Sequence, residues 1–232
     1  MDYDIPSSVL SLKKIKNYIT RTPLQFSERL SKESGARVYL KLENFQKTGS
    51  FKARGALNKV LSLTDKSSVV AASSGNHGAA VSYALSVVGK KGVIYVPNNV
   101  KVSKVKNIES YGSQVIKHGE DCLDAENEAM DVAKENGSTF ISPYNDLEII
   151  SGQGTIGVEI LEDMKDIEFV FITVGGGGLI AGVANYMKSI NPAINIIGCS
   201  PENSSVMLNS LHENQIIDRK STRLNSSHQI IS

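Results

Sequence analysis

VVAASSGNHGAAVSYALSVV, residues 69–88, is the stretch that decides the fold. Val69 to Ala72 form a short, continuous apolar run, the pattern of a strand covered on both faces in a parallel sheet. The run stops at Ser73-Ser74-Gly75-Asn76-His77-Gly78, a cluster of turn and capping residues. Apolar residues then recur at helical spacing from Gly78 to Val88. Strand, tight turn and helix make one unit of an α/β fold. Outward from it the same alternation continues from about Val38. Further strands are expected at Val38 to Lys41, Val93 to Val96, Gln114 to Lys117, Thr139 to Ile141, Phe169 to Thr173 and Asn195 to Cys199. Helices are expected at Ser103 to Tyr111, Leu123 to Asn136, Gly154 to Met164, Leu179 to Ile190 and Ser204 to Glu213. The fold class is therefore α/β, built on mostly parallel sheets. In such sheets ligands bind beyond the carboxyl ends of the strands, which directs attention to the turns after Ala72 and Thr173.

The composition fits that class. The chain has 232 residues, 41% of them hydrophobic, enough for one large or two small domains. Lys plus Arg number 25 and Asp plus Glu 24, so no global field recruits nucleic acid or an anionic membrane, and a small molecule is the expected partner. Cys122 and Cys199 lie far apart without CxxC spacing, which argues against a disulfide framework or zinc site; both are expected to be buried thiols. The first residues hold no uninterrupted apolar run and no later stretch is long enough to span a bilayer, so a soluble, cytoplasmic protein is expected. The segment 218–232 breaks the pattern: DRKSTRLNSSHQIIS is polar and without periodicity. DRKSTRLNSSH resembles the translation of a common sequencing-adapter oligonucleotide, so this tail is expected to be non-native, with native sequence ending near Ile217.

Three segments carry candidate chemistry. In Ser50-Phe51-Lys52-Ala53-Arg54-Gly55-Ala56, one lysine sits beside small and aromatic residues. An amine that must form a Schiff base needs a dry pocket or a lowered pKa, and an aromatic ring can wall such a pocket. Taken alone, the segment reads more readily as a surface lysine at a helix start. The turn Ser73 to Gly78 points backbone N–H groups and hydroxyls at one spot, which suits a carboxylate. An ordinary helix cap reads as well there, and His77 alone reads as a hydrogen-bonding residue. Gly175-Gly176-Gly177-Gly178, between the strand FVFIT and a helix, removes every side chain that would keep a phosphate from the backbone amides. It lacks the Lys-Ser or Lys-Thr pair of a Walker loop and the acid of a dinucleotide fingerprint. A phosphorylated cofactor with its own chemistry fits it best.

In order, SFKARGA, SSGNHG, SGQGT and VGGGGLIAG resemble the serine/threonine dehydratase and serine racemase group of fold-type II pyridoxal-phosphate enzymes, relatives of the tryptophan synthase β-like superfamily. The resemblance runs from about Ile15 to Ile217. It implies two three-layer α/β domains: a large cofactor-binding domain of residues 1–67 and 146–217, its C-terminal part missing, and a small domain of residues 68–145. It implies that Lys52 carries pyridoxal 5'-phosphate with Phe51 flanking the ring, and that Asn76 meets the cofactor's phenolic oxygen. Gly175, Gly176, Gly177, Gly178 and the Leu179 amide would cup the phosphate. Ser73, Ser74 and His77 would hold the substrate carboxylate, with Ser74 also a second catalytic base across from Lys52. Gly152 to Thr155 would lie near the active-site face, and the turn Pro143 to Asp146 reads equally as a lining of the cleft or as a plain turn. The implied reaction converts L-threonine or L-serine to 2-oxobutanoate or pyruvate plus ammonia. Serine racemisation, 3-hydroxyaspartate dehydration, or a truncated fragment that holds no cofactor are the alternatives. Racemases of the animal type bind a divalent cation through acids in the loop after the strand INIIGCS. Here that loop offers only Glu202, so no metal is expected. Family analogy also implies a homo-oligomer for the full-length protein.

Overall fold

The computed structural model describes residues 7–63, 68–215 and 217. The tail expected to be non-native, 218–232, lies outside the described residues. The chain opens with α1 (Ser8–Ile15), then β1 (Leu24–Phe26), α2 (Glu28–Ser34) and β2 (Tyr39–Lys41), the two strands pairing antiparallel. Helix α3 (Lys52–Val60) begins at the lysine singled out above.

Next come β3 (Val69–Ala72), α4 (Asn76–Val87), β4 (Val93–Val96), α5 (Val102–Glu109), β5 (Gln114–Lys117), α6 (Cys122–Asn136) and β6 (Thr139–Phe140). The four strands form one parallel sheet in the order β5-β4-β3-β6. Because side chains alternate across a strand, Val69, Ala71, Ile94 and Val96 face one core with α4 and Ile108 of α5. Val70, Ala72 and Tyr95 face the other, against the Ala125, Ala129 and Ala133 stripe of α6. The result is helix, sheet, helix in three layers. The reversal from β5 back to β6 explains the change of side, since right-handed crossovers in opposite directions place their helices on opposite faces. The first core also takes in Ile15 of α1, Ala56, Leu57 and Val60 of α3, and Ile149. Each large aliphatic side chain so buried contributes about 1.5–3 kcal/mol.

The remaining chain forms α7 (Leu147–Asp163), β7 (Phe169–Thr173), α8 (Gly178–Ile190), β8 (Asn195–Cys199) and α9 (Val206–His212), with β7 and β8 parallel. Helix α7 starts two turns before the expected Gly154. The Asp146 carboxylate accepts from the Glu148 and Ile149 amides and caps it. Its glycines do not break the helix but let neighbours close in: a Cβ at Gly152 would sit 2.6 Å from the Gly55 Cα, and one at Gly182 would overlap the Ile150 carbonyl. Both cysteines, expected to be buried, are exposed. Cys122 opens α6 ahead of its buried alanine stripe, and Cys199 ends β8, whose residues are mostly exposed.

Candidate active site

Strands β3 and β6 are neighbours, so the turn that leaves β3 and the segment that leaves β6 lie side by side at the carboxyl end of the sheet. They are joined there. His77, in the first turn of α4, is buried, with its Nε2 2.9 Å from the Ile141 carbonyl oxygen. A carbonyl only accepts, so Nε2 carries the proton. Burial first, and the nearby Lys52 charge second, lower the His77 pKa to about 3 against the pull of the Ile141 hydrogen bond. The ring is neutral at physiological pH and ties the Ser73–Gly78 turn to the segment 141–146.

The same segment receives Lys52. From the start of α3 its Nζ donates to the Pro143 carbonyl at 2.7 Å and lies 5.3 Å from the Phe51 ring centroid. Burial lowers its pKa from the usual 10.5 to about 8. About a tenth of the amine is therefore unprotonated at pH 7, far more than for an ordinary lysine, and that is the state that attacks a carbonyl carbon. One residue further, Tyr144 packs on the glycine run: a Cβ on Gly176 would overlap its ring, and one on Gly178 would lie 3.0 Å from its Cα. Gly177 adopts φ 86°, a left-handed conformation that favours glycine, and Gly175 has open space where a Cβ would stand. Neither α4 nor α8 has a side-chain cap at its start, so no capping side chain takes up their first-turn amides.

The structure thus brings Lys52, Phe51, His77 and the run Gly175 to Gly178 together around 141–146, the segment whose sequence reads equally as a plain turn. Ser73, Ser74 and Asn76 stand in the same turn as His77. The Ser73 Oγ accepts from the Gly75 amide at 3.1 Å, Asn76 is exposed, and Ser74 is half-buried. Leu179 is half-buried and packs into the core beneath β7. The GQGT segment serves packing: Gly152 meets Gly55, and the Thr155 hydroxyl accepts from Arg54. Among the described residues no three His, Cys, Asp or Glu side chains gather as metal ligands, and none of the helices is long and apolar enough to cross a membrane.

These features fit a phosphorylated aldehyde cofactor. A dry amine can form the link, an aromatic ring stands beside it, and a glycine turn at a helix start leaves backbone amides open to a phosphate. Comparison with known proteins points the same way. The chain is 44% identical over 202 residues to the L-threonine ammonia-lyase of Thermotoga maritima, covering 86% of this chain and 50% of that protein. It is 39% identical over 227 residues to the catabolic L-threonine dehydratase of Escherichia coli, covering 95% of this chain and 69% of that one. The chain thus spans about half the length of the first relative and about two-thirds of the second. The solved structure of maize serine racemase superposes with a TM-score of 0.90 at 37% identity, covering 96% of this chain and 69% of the other. The family model described as pyridoxal-phosphate dependent enzyme matches residues 15–230, and the chain belongs to that family.

Proposed function

We propose that this chain is the cofactor-binding portion of an ammonia-lyase that converts L-threonine or L-serine to 2-oxobutanoate or pyruvate plus ammonia. The observation that carries the reading is the Lys52 amine: half-buried, lowered to about pKa 8, and held at the Pro143 carbonyl beside Phe51. The relatives named threonine ammonia-lyase and threonine dehydratase supply the reaction class. When bound, pyridoxal phosphate supplies an electron sink for the bond being broken at the amino acid's α-carbon.

The chain's own residues supply the rest. Lys52 would anchor the cofactor, and its free amine would be the base that takes the α-proton; the Pro143 carbonyl, which accepts from Nζ, would hold the ammonium so formed. Gly175, Gly176, Gly177, Gly178 and the Leu179 amide would hold the phosphate, and Asn76 would meet the ring's phenolic oxygen. Ser73 and Ser74 hold the substrate carboxylate, while His77, engaged with Ile141, sets the position of their turn. The described sheet of residues 69–140 supports a division into a small domain, 68–145, and a large one, 1–67 with 146–217. A cytoplasmic location is the expectation drawn from the sequence, and a homo-oligomer for the full-length protein is what the family resemblance implies.

A second reading is amino-acid racemisation, favoured by the maize serine racemase structure. In that reading the half-buried Ser74 hydroxyl, in the turn beside His77, is the second base. The two are separated by supplying L-threonine and L-serine to a chain extended to the length of its relatives. Release of 2-oxo acid at rates well above D-serine formation supports the lyase. D-serine formation without 2-oxo acid contradicts it.

A further inference from the structure

Two residues beyond Lys52, Arg54 is fully buried, and all five of its N–H donors are used. Its Nη1 donates to the Glu159 Oε1 at 2.7 Å and to the Thr155 hydroxyl at 3.2 Å. Nη2 donates to the Glu159 Oε2 at 2.9 Å and the Glu43 Oε1 at 2.8 Å, and Nε to the Glu43 Oε2 at 2.9 Å. Lys41 completes the cluster, donating to the Glu159 Oε2 at 2.6 Å and to the Thr22 carbonyl at 2.7 Å. Two cations face two carboxylates, and the partners come from β2, the turn after it, and α7.

We infer that Arg54 is a positioning residue for Lys52: through this charge-balanced cluster it fixes the rotation of α3 and so keeps the Lys52 amine in its dry place beside Pro143. The inference rests on reading Lys52 as the cofactor lysine. Residues two apart on a helix project roughly 200° from each other, so anchoring Arg54 against α7 on one side aims Lys52 at the site on the other. A rotation of about 10° displaces a group about 6 Å from the helix axis by roughly 1 Å, an error that reacting groups tolerate poorly. A buried ionic cluster holds a fold no better than apolar packing of the same volume. What the planar guanidinium adds is angle, because it meets two carboxylates in a fixed fork.

Arg54 acts by position rather than field. Its charge is balanced, and burial is what lowers the Lys52 pKa. The titratable group coupled to the amine is His77 from α4, which is neutral, while Tyr144, from the segment after β6, lies against the glycine run. Loosening α3 would let water reach Lys52 and return its pKa towards that of an ordinary lysine.

The test is borohydride trapping of pyridoxal phosphate on Lys52, followed by peptide mass across pH 6–10, in the unaltered chain, Arg54→Lys and Thr155→Val. Arg54→Lys keeps the charge but loses the fork, and Thr155→Val removes one of five hydrogen bonds and leaves every charge in place. Melting is measured in parallel, and if Arg54→Lys does not fold, Thr155→Val decides. The expected result is a raised pH midpoint for trapping, with the rate at pH 7 falling about tenfold for every pH unit that the midpoint rises. Thr155→Val should move the midpoint the same way by less. Folded variants with the unaltered rate and midpoint would overturn the inference and leave the cluster a structural one. Trapping at other lysines but not at Lys52 in the unaltered chain would remove the cofactor-lysine reading, and the inference with it.

Discussion

The two strand–turn–helix units that frame the site, β3 to α4 and β7 to α8, share one plan and differ in both turn and surroundings. The first turn carries side chains, two serines, an asparagine and a histidine, and its strand is buried on both faces. The second is bare glycine, and its strand is covered on one face only. Ile172 packs against α7 and α8, while Phe169 is 54% and Phe171 67% exposed. The comparison separates two tasks. A turn with hydroxyls and amides together suits a small carboxylate that must be oriented, whereas a turn without side chains lets backbone amides close on a larger phosphate. The first unit is locked by its own packing. The second rests on Tyr144 and on a sheet with an open apolar face.

The largest effect is expected at Gly78 in the first unit, where a Cβ would overlap the Ser73 carbonyl and lie 3.1 Å from Ile108. Gly78→Ala should cost about 3 kcal/mol by urea unfolding, because backbone must move. A tolerated alanine would show that the turn is looser than its geometry. A middle effect belongs to His77, for which the glycine turn has no counterpart. Its pKa falls from the usual 6.5 to about 3 on folding, so between those values the unfolded chain binds a proton that the folded chain does not. Stability from this residue is complete above pH 6.5 and is lost as pH falls towards 3, by up to about 1.4 kcal/mol per pH unit. Urea midpoints at pH 5, 6 and 7 should show that slope, and His77→Asn should flatten it. The smallest effect on stability is expected for Gly175→Ala, since nothing lies within 4 Å of the added methyl; the change should stay within about 0.5 kcal/mol. The same methyl should weaken pyridoxal-phosphate binding if the run cups a phosphate, and unchanged binding would move the phosphate elsewhere.

Much of this is legible in residue pattern. Strands β3, β4, β5, β7 and β8 fall where their short apolar runs place them, since such runs between turn residues have few other ways to be buried. The N-terminal elements α1 to α3 and β1 are not among the elements expected from the pattern, although Lys52 reads as lying at a helix start; no capping side chain marks the start of α3. The sequence pattern starts α7 at Gly154, two turns late, while in the structure glycines 152 and 154 lie inside the helix and serve close contact with α3 and α8. The cysteines depart from expectation because burial depends on which face a residue takes, not on its chemistry alone. In the site, Lys52, the Ser73–Gly78 turn and the glycine run, which the structure gathers around one segment, can be named from sequence. The joining segment cannot, because it acts through the carbonyls of Ile141 and Pro143, and a backbone acceptor has no residue-type signature. Arg54 belongs between these cases: it lies inside the SFKARGA motif, but its partner Glu159 is far from it in sequence.

The most direct test of the site is absorbance on titrating pyridoxal phosphate into the chain and into Lys52→Ala, with melting curves to confirm that both are folded. Protein-bound cofactor absorbance in the unaltered chain that is absent from folded Lys52→Ala is the expected result. The same absorbance in both would contradict the assignment of Lys52, and with it the site built around Pro143.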